Sequence, residues 1–404
     1  MGYVAVKAGE EVIRRAEELF EKRRVEEGAA DLDLDQIGGQ LGRLTAQAMS
    51  EGGLYAPRLA ALAVKQAQGD AAEAAFLLRA YRSTLERWGD SVPAEPDEMF
   101  ATRRVSPAFK DVPGGQILGA TKDYTQRLLD FDLADGGEPT DPTADWDLED
   151  EEPRTLRNVI DVLRAEGLVE EPREDPDAES EDDEPYDTTR RPVLFPAPRS
   201  AVLQELARGE TGAITALGYS ALRGYGRIHP TLAEVRIGEL PVEIEHPYTG
   251  EAVEVTSVEV TEFEGVVPAY ETRDDPRFAF GYGLVFGRNE RKAIGMTMLD
   301  ASIQLDGDEP AEDAEFVLDV IDGIDSFGFV EHLKLPHYVT FGSILDRIRS
   351  IRERKRGTGA AGDESGDGGG GDDEGGEVDG GDGDDSDDGG DGDDAAAAEV
   401  SAGD

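Results

Sequence analysis

The sequence predicts an α+β protein: a helical N-terminal region, then a body mixing helices with an antiparallel sheet, then a disordered acidic C-terminal tail. Three observations carry that prediction. Apolar residues recur at helical spacing in the N-terminal region, as in Ala74, Leu77, Leu78, Tyr81 and Leu85. Between residues 231 and 262 the period falls to two, as in Val253-Glu254-Val255-Thr256-Ser257-Val258-Glu259-Val260. Beyond Gly357 the chain is low-complexity Gly and Asp, which cannot bury enough apolar surface to offset ordering entropy. The expected organisation is a mostly helical region over 1–100, an α+β body over 101–133 and 193–356, an acidic insertion with one helix over 134–192, and a tail over 357–404.

Taken in order, Tyr3 to Val6 reads as a strand, and a helix follows from Glu10 with Val12, Ile13, Ala16, Leu19 and Phe20 on one face. Residues 33–50 read as a second helix, weakened by Gly38 and Gly39 and stopped by Gly52-Gly53. Pro57 suits the first turn of a third helix running through Gln68, and Asp70 caps a fourth. A short strand opens the stretch 101–119, followed by a loop from Lys110 to Gly119. Asp123 is expected to begin a helix through Phe131. The insertion 134–192 is acidic and proline-rich apart from a helix near Leu156 to Glu166. Helices are expected at 200–208 and 211–222, at 288–304 and at 311–325. The body closes with an amphipathic helix carrying Ile344, Ile348 and Ile351 and ending in Arg352, Arg354, Lys355 and Arg356.

The 404 residues suggest two or three domains by length and carry a formal charge of −50. Eighteen acids fall after Arg356, where there is no Lys or Arg, so the body still holds 72 acids against 40 bases, a net −32. Such acid spread over a body with regular apolar periodicity is the composition of a protein that stays soluble in molar salt, where charges are screened over a few ångströms. It excludes free nucleic acid as a partner, since binding that polymer needs a basic footprint. With no cysteine there is no disulfide, iron–sulfur or thiolate chemistry in this chain. The sequence has no run of 18 apolar residues and opens without a signal sequence, so a cytoplasmic protein with no membrane insertion is expected.

Four histidines are present, and two of them, His332 and His337, lie five positions apart in Glu331-His332-Leu333-Lys334-Leu335-Pro336-His337-Tyr338. Pro336 keeps a regular helix from running through this segment and pushes Leu335 toward extended geometry. The segment therefore reads as a short extended piece turning at the proline, with His332 and Lys334 on one face. Two imidazoles brought together by a bend can hold zinc, iron or nickel, leaving positions for water, substrate or another subunit. The plainer reading of the pair is as hydrogen-bonding groups of a turn. Among other constellations, Arg103, Arg104 and Lys110 precede Pro113-Gly114-Gly115-Gln116, whose glycines let backbone N–H groups approach an anion or simply make a tight turn. Arg223-Gly224-Tyr225-Gly226-Arg227 offers forked donors for phosphate oxygens and a tyrosine to stack on a base or sugar, or else a solvated turn. His229 follows as a third ligand or general acid, whereas His246 reads as structural. Arg277, Gly281-Tyr282-Gly283 and the helix start at Arg288-Asn289-Glu290-Arg291-Lys292 make a third basic, glycine-containing region, with a β-turn as the plain alternative.

Several stretches in order resemble one family. They include Ala61-Leu62-Ala63-Val64-Lys65-Gln66-Ala67, Phe76-Leu77-Leu78-Arg79-Ala80-Tyr81-Arg82, Lys110-Asp111-Val112-Pro113-Gly114-Gly115-Gln116 and Asp123-Tyr124-Thr125-Gln126-Arg127-Leu128-Leu129-Asp130-Phe131. Arg223 to Arg227, Gly281 to Gly287 and Gly328-Phe329-Val330-Glu331-His332-Leu333-Lys334-Leu335-Pro336-His337-Tyr338-Val339 complete the set. These stretches are similar to PhnI, a core subunit of the carbon–phosphorus lyase complex of phosphonate catabolism, here in an acidic, haloarchaeal-type version. The resemblance implies a transferase or nucleosidase-type subunit that replaces the adenine of MgATP by an alkylphosphonate, giving a ribose 1-phosphonate 5-triphosphate. It implies PhnG, PhnH, PhnJ and a second PhnI as partners, with ATP-binding-cassette-type subunits joining transiently. It also implies a divalent metal, zinc by preference, at His332 and His337, near the radical-enzyme subunit PhnJ. On this reading Lys110, Gly114, Gly115, Gln116, Arg223, Arg227 and Lys334 bind substrate, and His229 and Tyr225 are the catalytic candidates. The competing expectation is a non-catalytic scaffold that lends its metal site to PhnJ.

Overall fold

The computed structural model describes residues 9–28, 30–125, 127–134, 142–144, 157–172, 178, 185–222, 232–269, 276–305, 308–335 and 338–360. The chain forms two compact units, Met1–Pro336 and His337–Asp404. The expected strand at Tyr3–Val6 and the tail beyond residue 360 lie outside the described residues.

Five helices open the first unit. α1 (Glu10–Arg24) has the expected apolar face, yet none of its residues is buried. α2 (Leu34–Gln40) begins with a reciprocal capping box between Asp33 and Gln36. α3 (Gly42–Gly52) follows at once, so the single helix expected over 33–50 is two. Gly38 and Gly39 weaken the first, and Leu41, at φ −113° and ψ 31°, bends the chain before Gly42 restarts it. α4 (Pro57–Gln66) starts on its proline, and α5 (Ala71–Arg82) is capped by Asp70, which accepts from the N–H groups of Ala72 and Glu73. α2 to α5 close around Ile37, Ala48, Met49, Ala60, Val64 and Leu78.

Among the described residues the sheet has five strands: β1 (Phe100–Val105), β2 (Val169–Glu170), β3 (Leu232–Glu245), β4 (Ala252–Ala269) and β5 (Arg277–Phe286), in the order β1-β3-β4-β5-β2. The strands expected over 231–262 pair antiparallel, as β3 and β4, and the short β2 makes the sheet as a whole mixed. The three long contacts are antiparallel, but β2, reached through α6 (Ile160–Ala165), pairs with β5 in parallel. α7 (Arg199–Arg208), α8 (Thr211–Leu222), α9 (Glu290–Ile303) and α10 (Ala314–Ile321) cover one face over Val235, Phe263, Val285, Met296, Leu299 and Ile321.

The glycines of the third basic region are packing glycines inside β5. A Cβ on Gly283 would collide with the Ala293 carbonyl and stand 2.8 Å from Thr297 Oγ1, so α9 rests directly on the strand backbone. The helix expected over Asp123–Phe131 does not form. The Asp123 carboxylate accepts from Arg103 Nη2 at 2.8 Å instead of capping a helix, and only a 3-10 turn at Phe131–Ala134 follows. The histidine segment differs too. α11 (Gly323–Glu331), capped by Asp322, runs into a 3-10 turn at His332–Lys334, and only Leu335 is extended (φ −98°, ψ 145°), as a residue before proline should be. The second unit contains α12 (Tyr338–Ala360), which continues past the basic run that was expected to end it.

The other face of the sheet buries charge. Arg104 donates to Glu234, and both side chains are fully buried. Arg236 Nε donates to Glu262 Oε2 at 2.6 Å, and Tyr282 donates its hydroxyl to Glu262 Oε1 at 3.0 Å. Beside them Glu264 has one oxygen with no hydrogen-bond partner, and its nearest cation, Arg164, stands 3.7 Å away. Burial first, then the charge of Glu262, pushes the Glu264 carboxyl up to about 8. The folded state thus keeps a proton that the unfolded chain releases near 4.5, and stability falls as pH rises through the window from 4.5 to about 8. Glu264→Gln should therefore stabilise the protein at pH 9 by on the order of 2 kcal/mol and change little at pH 5. Urea unfolding at the two pH values checks this; equal effects at both would show that Glu264 is ionised throughout.

Candidate functional site

Neighbouring residues on a strand face opposite sides, and β1 presents Arg103 and Arg104 in this way. Arg104 enters the buried ionic face. Arg103, paired with Ile237, turns to the helix-covered face just after a β-bulge between Ala101 and Arg103. Bulges re-aim the side chains beside them. The Arg103 side chain is only 10 % exposed, and while Nη2 is held by Asp123, Nε and Nη1 have no hydrogen-bond partner.

Arg103 looks into a cleft of about 660 Å³. One wall is the α2–α3 break, where Gly38, Gly39 and Gly42 leave the backbone bare and a Cβ on any of them would meet nothing within 4 Å. Arg43 stands there in the first turn of α3, whose preceding residue, Leu41, makes no side-chain cap. The opposite wall is the start of α9. Glu290 lies between two guanidinium groups without bonding either, its Oε1 being 3.8 Å from Arg103 Nη1 and 4.0 Å from Arg43 Nη2. Arg288 donates through Nε to Glu259 at 3.0 Å. Three guanidinium groups, of Arg43, Arg103 and Arg288, meet three carboxylates, of Glu259, Glu290 and Asp123, and the open amide end of α3 adds partial positive charge. In so acidic a chain this is an arginine-lined hollow, with charges locally balanced, of a size that admits a small ligand.

The sequence-predicted residues are dispersed. Gly114 and Gly115 take φ of 86° and 85° in a turn that Arg104 holds through the Pro113 carbonyl. Gln116 closes that turn, accepting from the Ser106 N–H at 2.9 Å and donating to the Phe109 carbonyl at 2.8 Å. Lys110 is exposed near its start. Lys334 donates to Glu331 Oε1 at 2.6 Å beyond the end of α11. The ring of His332 packs on Phe329 at 5.1 Å and its Nδ1 meets the Phe329 carbonyl. Arg223, Tyr225, Arg227, His229 and His337 lie outside the described residues. Of the third basic region, Arg288 lines the cleft but Lys292 does not. Lys292 is fully buried, donates to Ser50 Oγ at 2.8 Å and is pulled down to about 7 by burial. Among the described residues no group of three or more His, Asp and Glu is arranged to hold a metal ion, and no helix is long and apolar enough to cross a membrane.

Sequence reasoning missed Arg43, Gly42 and Glu259 as site residues, and took Glu290 only as part of a basic helix start. The one local signal was a glycine pair inside a helical stretch with Gly42-Arg43 close behind, and it reads as a helix defect.

Fold and cleft describe an α+β protein with an arginine-lined hollow on the covered face of its sheet. The family described as "Bacterial phosphonate metabolism protein (PhnI)" matches residues 2–355. The chain is 48 % identical over 372 residues to a "Putative C-P lyase subunit protein HtxH" of Stutzerimonas stutzeri, covering 88 % of this chain and 97 % of that one. It is 45 % identical to the "Alpha-D-ribose 1-methylphosphonate 5-triphosphate synthase subunit PhnI" of Rhizobium meliloti, covering 90 % and 98 %. The Escherichia coli protein of the same name is 44 % identical, with 87 % and 99 % covered. The chain belongs to the PhnI family of phosphonate metabolism proteins.

Proposed function

We propose that this protein is a subunit of an α-D-ribose 1-methylphosphonate 5-triphosphate synthase, working within a multi-subunit carbon–phosphorus lyase complex. The observation that carries the reading is identity of 44–45 % over 98–99 % of two relatives bearing that name. The reaction is a substitution at the anomeric carbon of a MgATP-type nucleotide. The C1′–N9 bond to adenine breaks, a C1′–O bond to a phosphonate oxygen forms, and the departing base takes up a proton. The ribose passes through oxocarbenium character, so the enzyme must anchor both anionic groups while the base leaves. His229 and Tyr225 stay the candidates for proton transfer and stacking, with Arg223 and Arg227 for the phosphates.

A divalent metal fits the donor set of the His332 segment as far as His332 itself. Its Nδ1 meets a backbone carbonyl, the arrangement that orients an imidazole toward a metal through its other nitrogen. With His337 it would hold zinc, which would supply Lewis acidity toward a phosphate or phosphonate oxygen. A scaffold role is the second reading, favoured by the exposure of Phe329 (77 %) and Leu333 (67 %) around His332. Apolar side chains so placed suit a contact with another subunit, PhnJ being the expected one, beside PhnG, PhnH and a second copy of this chain.

The test is the co-purified complex in molar KCl, given MgATP and methylphosphonate, with adenine and the ribose product followed by chromatography. Adenine released in step with a ribose 1-methylphosphonate 5-triphosphate is expected. An assembled complex that releases no adenine would overturn the synthase reading, and retained methane release from a supplied ribose phosphonate would then favour the scaffold.

A further inference from the structure

We infer that the cleft between the α2–α3 break and the start of α9 holds a tetrahedral phosphorus oxyanion, gripped by Arg103 and Arg43, with Glu290 as the carboxylate that the ligand displaces. The inference rests on the synthase reading for its ligand class, and on four observations for the site itself.

Buried polar groups in folded proteins are almost always hydrogen-bonded, and an ionised one left without partners is the exception that calls for an acceptor. Arg103 is nine-tenths buried, yet Nε and Nη1 have none, and both belong to a guanidinium that lines the cleft. With Nη2 held by Asp123, Nε and Nη1 each offer a single charged donor to an oxygen of a phosphoryl or phosphonyl group. Second, Glu290 is the one anion near both Arg103 and Arg43, but at 3.8 and 4.0 Å it is beyond hydrogen-bonding reach of either. It balances charge without completing the site. Third, Gly38, Gly39 and Gly42 are not demanded by packing, since a side chain there would enter open space, and they lower the helical propensity of their own segment. What they provide is a wall of bare backbone that a ligand can approach closely. Fourth, α3 is an eleven-residue helix whose uncapped start opens on the same space. Arg288, already bonded to Glu259, forms the far wall and is not counted among the ligands. A cation is disfavoured by three guanidinium groups, and a nucleic-acid strand by the charge of the chain.

The same chemistry describes a nucleotide's triphosphate and a free alkylphosphonate, so the experiment separates them. The full chain, as wild type, Arg103→Ala, Arg103→Lys and Glu290→Gln, is titrated calorimetrically with sodium tripolyphosphate and with methylphosphonate at fixed KCl. Circular dichroism melts accompany each variant. For the true occupant, Arg103→Ala should weaken binding at least tenfold and Arg103→Lys less, because an ammonium keeps the charge though not the placing of the donors. Glu290→Gln should tighten binding several-fold, a gain that general damage to the fold would not produce. An effect on tripolyphosphate alone assigns the triphosphate, on methylphosphonate alone the phosphonate, and on both a shared subsite. Should Arg103→Ala fail to fold, Arg103→Lys and Glu290→Gln decide. Wild-type protein that binds neither probe, or affinities unmoved by both of those variants, would overturn the site. Adenine release by the wild-type complex is scored separately: release without any Arg103 effect sinks this inference alone, and an Arg103 effect without release sinks the synthase reading alone.

Discussion

Replacing Arg104 by methionine should cost about 3–5 kcal/mol of folding stability, the range for removing one partner of a buried ion pair. Arg104 and Glu234 have no side-chain exposure at all, so the abandoned carboxylate cannot turn to water. Three groups lose their donor together: Glu234, the Pro113 carbonyl and the Arg157 carbonyl, the last now at 2.6 Å from Nη2. Glu234 would keep only the Val159 N–H at 2.9 Å. The measurement is urea unfolding at constant KCl, since guanidinium salt would screen what is being tested. Exchanging both partners, Arg104→Met with Glu234→Leu, should recover part of the loss, because apolar replacement of a whole buried pair is often neutral. A single variant within about 1 kcal/mol of wild type would mean that water reaches the pair.

The second large effect is expected from Gly283→Ala. One methyl group at this point in β5 would overlap the Ala293 carbonyl and crowd Thr297 Oγ1, and neither can retreat without moving α9. Overpacking of this kind costs about 1–3 kcal/mol, and more where backbone must shift. The displacement would travel, since α9 begins with Glu290 at the cleft. Loss of stability with weaker tripolyphosphate or methylphosphonate binding is therefore expected from one substitution roughly a helical turn away from any ligand. An unchanged melting temperature would show that helix and strand can part at low cost.

These two residues show where the sequence is readable and where it is not. Pro57 and Asp70 act through their own backbone neighbours, so the starts of α4 and α5 follow directly from the chain. The strands β3 and β4 are legible in their alternation, because strand period depends only on the pleat. Which of their faces is polar for a reason is not. Glu234, Arg236, Glu262 and Glu264 alternate with apolar residues just as a solvated face would, and only tertiary packing shows that they are buried. Gly281 and Gly283 likewise read as loop formers, since the helix that excludes their side chains comes from a later segment. Asp123 stands where a helix cap should, but a distant arginine outcompetes the local N–H groups. Membership of the family was legible because it rests on strings of adjacent residues. The cleft was not, because no two of its walls are adjacent.

That last property bears on how the protein is made. The arginine-lined hollow draws on residues 38–43 and 103, yet its opposite wall arrives only with Glu259, Arg288 and Glu290. A nascent chain therefore has Asp123 to pair with Arg103 soon after it emerges, yet waits nearly two hundred residues of translation for Glu290 and the far wall. Domains generally fold as the ribosome releases them, and long-range contacts form last. During that interval the α2–α3 break and β1 have no opposite wall, so the hollow cannot yet enclose a ligand. Phosphate metabolites cannot assist folding before α9 docks, and after it docks they stabilise the whole first unit by mass action, not one segment of it.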